Sequence, residues 1–105
     1  MKTAKVFVNN KAAGRLIERE RGKSYEFVYD DTYQGTPVSL SMPVAKKHFV
    51  FDSFPPFFDG LLPEGERLEA LLRKRKVDAK DYMEQLIAVG SDMVGAVTVE
   101  GQYHE

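Results

Sequence analysis

Ser24-Tyr25-Glu26-Phe27-Val28-Tyr29 places three aromatic side chains, at 25, 27 and 29, on one side of an extended chain and Glu26 on the other. A period of two marks a half-buried strand, and an aromatic face of this size must be covered by something else in the molecule. Upstream, Lys5 to Val8 is a short apolar run, and Asn9-Asn10-Lys11 supplies residues that tolerate the left-handed backbone of a tight turn. Gly14 to Glu20 resumes as a strand, and Glu20-Arg21-Gly22-Lys23 turns the chain into the aromatic strand. The first third therefore reads as an antiparallel three-stranded meander.

Downstream, Asp30 to Pro37 is polar and turn-rich. Val38, Leu40 and Met42 alternate with Ser39 and Ser41, which predicts a further short strand. Pro43 to Phe51 does not resolve into one element. Pro55-Pro56 removes two backbone donors and restricts Phe54, so Ser53 to Pro56 is not expected to be regular helix.

The second half is expected to be helical. Phe57 to Leu61 suits one turn that Pro63 ends. Between Glu64 and Lys76, Leu68, Leu71 and Leu72 fall at i, i+3, i+4 and predict one buried stripe. Acids at 64, 66 and 69 and bases at 73 to 76 complement the helix dipole. Asp78 is the expected N-cap of a following helix with Asp81 in its first turn, and Gly90 suits the position just past its end. Tyr82, Leu86 and Val89, with Met83 and Ile87, supply its apolar face. Ala96 to Glu100 reads as a last strand that returns to the sheet. The predicted fold is α+β: one domain, residues 1–105, with a small antiparallel β-sheet and two or three short helices packed on it.

Composition narrows the function. The chain has 105 residues, 43% hydrophobic and 30% charged, which fits a soluble globular protein rather than a disordered one. With 15 basic and 16 acidic side chains it lacks the cationic excess of most nucleic-acid binders. It has no cysteine, which removes disulfide scaffolds and thiol chemistry and fits a reducing cytoplasm. Neither a secretory leader nor a membrane span is legible, so a cytoplasmic location without membrane attachment is expected.

Candidate chemistry is sparse. His48 and His104 have no second ligand at metal-binding spacing. Asp30-Asp31 and Glu64/Glu66 are carboxylate pairs, but a strand-to-loop turn accounts for the first. Gly90-Ser91-Asp92-Met93-Val94-Gly95 has glycines spaced as in a phosphate loop, yet Ala96 and Val97 stand where Lys and Ser or Thr are required. Arg73-Lys74-Arg75-Lys76 has two readings, a helix end favoured by the dipole or a grip on phosphates. Phe49, Phe51, Phe54, Phe57 and Phe58 put five phenylalanines into ten residues around two prolines. They suit a core over the sheet, a stiff interaction patch, or both.

Several phrases then form a pattern. Val8-Asn9-Asn10-Lys11 with Gly14-Arg15-Leu16, Pro37-Val38-Ser39-Leu40-Ser41-Met42-Pro43, Phe57-Phe58-Asp59-Gly60-Leu61-Leu62-Pro63-Glu64-Gly65 and Gly90 to Val97 occur in that order. Together they resemble the N-terminal subdomain of HipA-type serine/threonine kinases, over about Lys5 to Val99. In that family a kinase core with an ATP site and catalytic and metal-binding aspartates follows, and nothing here matches it. No catalytic residue carries over and no cofactor is implied. A separate chain of this kind is similar to the HipS subunits of tripartite HipBST toxin–antitoxin systems. That likeness implies an antitoxin that is not an enzyme and binds a HipT- or HipA-like kinase toxin. A HipB-like DNA-binding subunit would complete the complex, so DNA is met only indirectly. The expected partner contacts are Phe57, Phe58, Leu61, Leu62, Pro63, Glu64, Gly65 and Glu66, a stiff apolar edge followed by acids. The alternatives are a non-inhibitory structural subdomain of a HipA-like kinase, and direct DNA binding through Arg73 to Lys76.

Overall fold

The computed structural model describes residues 2–90 and 96–103; the side chain of Tyr103 and the segment 91–95, which holds most of the glycine-framed phrase, lie outside that description, as does His104. Five strands, β1 (Lys2–Val8), β2 (Lys11–Glu20), β3 (Ser24–Tyr29), β4 (His48–Phe51) and β5 (Val97–Tyr103), form one antiparallel sheet in the order β4-β3-β2-β1-β5. Among the described residues three α-helices accompany it: α1 (Pro56–Asp59), α2 (Gly65–Arg75) and α3 (Tyr82–Val89). The α+β expectation holds.

Local chemistry sets the meander. Asn9 and Asn10 take φ values of 50° and 66°, the double left-handed geometry of a two-residue hairpin, and pair Val8 with Lys11. Gly22, at φ 75°, turns β2 into β3, and its N–H donates to the Tyr25 hydroxyl at 2.9 Å. The aromatic strand behaves as its alternation requires: Tyr25, Phe27 and Tyr29 are buried, with Glu26 and Val28 only half so. Ala4, Val6 and Val8 of β1, Leu16 of β2 and Val99 of β5 complete the same core, which Phe54, Phe58, Met83 and Leu86 roof. The rings meet edge-on or tilted, Tyr25 to Phe54 at 5.4 Å and Phe27 to Phe58 at 5.9 Å, the arrangements their quadrupoles favour.

A polar clamp positions α3. Its N-cap is Asp81, whose Oδ1 accepts from the Glu84 N–H at 3.2 Å, while Lys2 at the start of β1 donates to Asp81 Oδ2 at 2.9 Å. Burial acts to lower the Lys2 pKa, but its bonds to Asp81 and Glu84 outweigh burial and raise it. Buried Gln85 donates to the carbonyls of Asp78 and Ala79, so the turn entering α3 is satisfied from the helix itself. At the far end Gly90 meets the Val99 carbonyl so closely that an added Cβ would stand 2.0 Å from the oxygen.

Several expectations are corrected. Val38 to Met42 is not a strand; only an isolated bridge joins Ser39 to Met42, and the Met42 N–H closes a turn on the Ser39 carbonyl at 3.0 Å. The Tyr29 hydroxyl takes the Val38 N–H and the Met42 carbonyl, and the serines bond to one another, so these groups are not left for a ladder. Pro56 is helical after all: it is the first residue of α1, where its missing N–H costs nothing. Asp78 caps only the turn before α3, through Lys80 N–H at 2.7 Å, and the helix starts three residues later at the Asp81 cap. Helix α2 has no fully buried residue; Leu68, Leu71 and Leu72 are half-buried. Gly90 keeps a right-handed φ of −54°, so close packing rather than a left-handed cap requires it.

Candidate protein-binding surface

The phenylalanine-rich stretch is divided by the fold. Phe58 is fully buried and Phe49 and Phe54 nearly so, whereas Phe51 and Phe57 are half-exposed at the edge of the core. The core reading therefore accounts for three of the five. Phe57 packs edge-on to Phe58 at 5.2 Å and forms one wall of a cleft of about 400 Å³, with Met42, Phe49, Phe51, Pro55 and Pro56. Lys46 stands at this cleft with its ammonium 5.1 Å from the centre of the Phe49 ring.

Beside the cleft is a feature the strand expectation hid. Leu40 is 97% exposed at the tip of the Ser39–Met42 turn. It is not a loose loop residue. Ser39 and Ser41 hydroxyls bond at 3.0 Å, and Ser41 N–H reaches the Ser39 hydroxyl at 3.3 Å. The buried Tyr29 hydroxyl donates to the Met42 carbonyl and accepts from the Val38 N–H at 2.9 Å, pinning both ends of the turn to the sheet. Burial of that phenol pushes its pKa up, so it remains a donor well above neutral pH. Val50, on edge strand β4, is 68% exposed and also borders the cleft. The pair of prolines around a Ser-Leu-Ser turn was the available signal for Leu40; alternation of polar and apolar residues spoke for a strand and concealed it.

The other expected contacts follow α1. The Leu61 N–H donates to the Phe58 carbonyl and Leu62 N–H to the Asp59 carbonyl, at 3.0 and 3.1 Å, which extends α1 by a turn. Leu61, Leu62 and Pro63 are half-buried, the two leucines against the core. Glu64, Gly65 and Glu66 are exposed where α2 begins, and Gly65 takes φ 58° there. The eight residues thus comprise one core residue, Phe58, four half-buried apolar residues and an exposed acidic corner. Phe57 is the member that joins them to the cleft beside Leu40's turn.

Catalytic geometry is not what this surface offers. Asp30 and Asp31 form the turn after β3, with Asp30 N–H on the Ala13 carbonyl and Tyr33 N–H on the Asp30 carbonyl. Glu26 is held below the usual carboxylate range, first by its hydrogen bonds from Arg19, while slight burial opposes and the Arg19 and His48 charges assist. It lies 3.7 Å from His48 and opposite Val50 in the β3–β4 ladder, and it is not among the residues that line the cleft. Among the described residues no three His, Cys, Asp or Glu side chains are grouped to hold a metal, and no helix is long and apolar enough to cross a membrane. What the arrangement can do is bury apolar area against another protein: a rigid leucine, a valine on an unpaired sheet edge and a proline-lined cleft adjoin one another.

The fold defines a small α+β domain with an antiparallel five-stranded sheet. The chain belongs to the HipA N-terminal domain family, whose profile matches residues 4–100. It is similar to a solved N-terminal domain of HipA toxin, with a TM-score of 0.77 at 30% identity over 100% of this chain and 96% of that one. It is also 34% identical over 100 residues to an uncharacterised protein of Haemophilus influenzae, covering 95% of this chain and 92% of the relative. No kinase core is contained in these 105 residues.

Proposed function

We propose that the chain is the antitoxin of a bacterial toxin–antitoxin system and acts by binding a HipT- or HipA-like serine/threonine kinase. The observation that carries this reading is the uncovered apolar surface formed by Leu40, Val50 and the Phe57 cleft on a HipA N-terminal domain. A leucine held at 97% exposure by a hydrogen-bonded turn does nothing for the isolated fold, but suits an anchor for a partner. Phe57, Leu61, Leu62 and Pro63 extend the contact, and Glu64 and Glu66, on either side of Gly65, present carboxylates to basic groups of the kinase. The Haemophilus influenzae relative, of which this chain spans 92%, is itself about this size and supports a separately made subunit. A HipB-like subunit would carry the DNA contacts of a ternary complex, working in the cytoplasm.

The test is co-purification with the kinase encoded beside this chain, followed by a phosphorylation assay. Stoichiometric complex formation and loss of kinase activity are expected, both weakened by Leu40→Asp. Complex formation with undiminished phosphorylation would favour the non-inhibitory structural subunit; no complex at all would refute both.

A further inference from the structure

We propose that α2 and the end of α3 form a second docking site, taking an acidic segment with an apolar face from a partner protein. Pro63, Arg67, Ala70, Leu71, Lys74 and Val89 line a groove of about 420 Å³. Arg67, Ala70, Leu71 and Lys74 stand at i, i+3, i+4 and i+7, which places them along one stripe of α2. The groove is therefore a short apolar floor with a cation at each end, about 10 Å apart along the helix axis.

Charge decides the occupant. Arg67, Arg73, Lys74, Arg75 and Lys76 form no ion pair among the described residues, although Glu66 and Glu69 share their helix. The acids at 78, 81 and 84, by contrast, are engaged with Arg21 and Lys2 on the far side of α3's start. Dipole stabilisation accounts for bases in the last turn, but Arg67 lies in the first half of α2, where a cation opposes the dipole. The chain as a whole carries a formal charge of −1, so this stripe is a local basic feature. Duplex or single-stranded nucleic acid fits less well: no aromatic side chain lies in α2 to stack a base, and four of the six residues that line the groove are apolar. A helix or extended segment that places two carboxylates around an apolar side chain matches floor and ends together. This groove shares no lining residue with the Phe57 cleft and meets the proposed kinase contact only at Pro63; its occupancy does not depend on the kinase reading.

The experiment is a titration of the isotope-labelled chain with a synthetic peptide of about 14 residues, leucines at helical spacing and glutamates elsewhere, long enough to run the length of α2. Two controls are a peptide with lysine in place of glutamate and a short DNA duplex. Saturable amide shifts at Arg67, Ala70, Leu71, Lys74 and Val89 with the acidic peptide are expected. R67E/K74E should weaken its binding at least tenfold, with unchanged thermal stability, because both side chains are exposed and form no ion pair among the described residues. Shifts located elsewhere, equal binding of the lysine peptide, no saturable binding, or an unaltered affinity of R67E/K74E would each overturn the proposal. Tighter, salt-sensitive binding of the duplex at the same residues would overturn it in favour of nucleic acid.

Discussion

Replacing Gly90 by alanine sets a local preference against a tertiary contact. Gly90 ends α3 with φ −54° and ψ −38°, a helical conformation in which alanine is intrinsically favoured by up to about 1 kcal/mol. The new methyl would stand 2.0 Å from the Val99 oxygen, 2.8 Å from its carbonyl carbon and 3.2 Å from its Cβ. Two of those atoms are backbone of β5, paired with β1 through Val6, so no side chain can swing aside. Relief requires α3 to move off the sheet by more than about 1 Å, which loosens Leu86 and Met83 in the core and Ile87 over Gly101. Overpacking of this kind costs about 1–3 kcal/mol, and contact with strand backbone rather than with a flexible side chain places this case at the upper end. The net expectation is a loss of about 2 kcal/mol, which lowers the melting temperature of a domain this size by roughly 8 °C or more. Urea unfolding followed by circular dichroism reads it directly, as a lower midpoint with an unchanged slope. Gly65→Ala is the control: φ 58° makes it cost about 1 kcal/mol through backbone strain alone, with nothing within 4 Å of the new methyl. A Gly90→Ala protein as stable as the parent, or more so, would refute the close-packing explanation.

Other perturbations separate core, clamp and surface. Phe58→Ala should destabilise by about 3–5 kcal/mol, whereas Phe57→Ala at the cleft should cost about 1 kcal/mol, as denaturant melts will show. Asp81→Ala removes a helix cap and the partner of Lys2, and a loss of about 1–2 kcal/mol is expected; Asp81→Asn, which keeps the cap, should recover most of it. Because the folded Glu26 carboxyl titrates below its ordinary value of 4.5, its contribution is complete above that pH and disappears as the pH falls through the lower folded value. Urea midpoints measured on acidification should drop more steeply for the parent than for Glu26→Gln. Leu40→Asp should leave the melting temperature unchanged or slightly raised while weakening kinase binding at least tenfold, measured by calorimetry; an unaltered affinity would remove Leu40 from the interface.

Signals that act over a few residues are legible along the chain, and contacts between distant residues are not. Tyr25, Phe27 and Tyr29 announced their strand because alternation is a local property, and Asn9-Asn10 and Gly22 announced their turns because φ is local too. The same logic misjudged Val38 to Met42. Its alternation was genuine, but the Tyr29 hydroxyl, nine residues from Val38 and thirteen from Met42, claimed the backbone groups a ladder would have used. The expected interaction segment, Phe57 to Glu66, was continuous on paper and is spread in space from the core to an exposed acidic corner. Ser41 and Met42, next to Leu40 in the chain, and Val50 reached the same cleft as Phe57 from other parts of the chain, through the Tyr29 bonds and the β3–β4 pairing, and no local signal could have joined them.

The sequence by itself determined the α+β class, the meander and its turns, the existence of the helices and the family, since periodicity, turn chemistry and phrase order are all written along the chain. Only the tertiary structure decided which phenylalanines are core, why Gly90 must be glycine, where α3 begins and that Leu40 points outward. Each of those depends on what a distant strand or helix brings within a few ångströms, a distance that residue spacing does not encode.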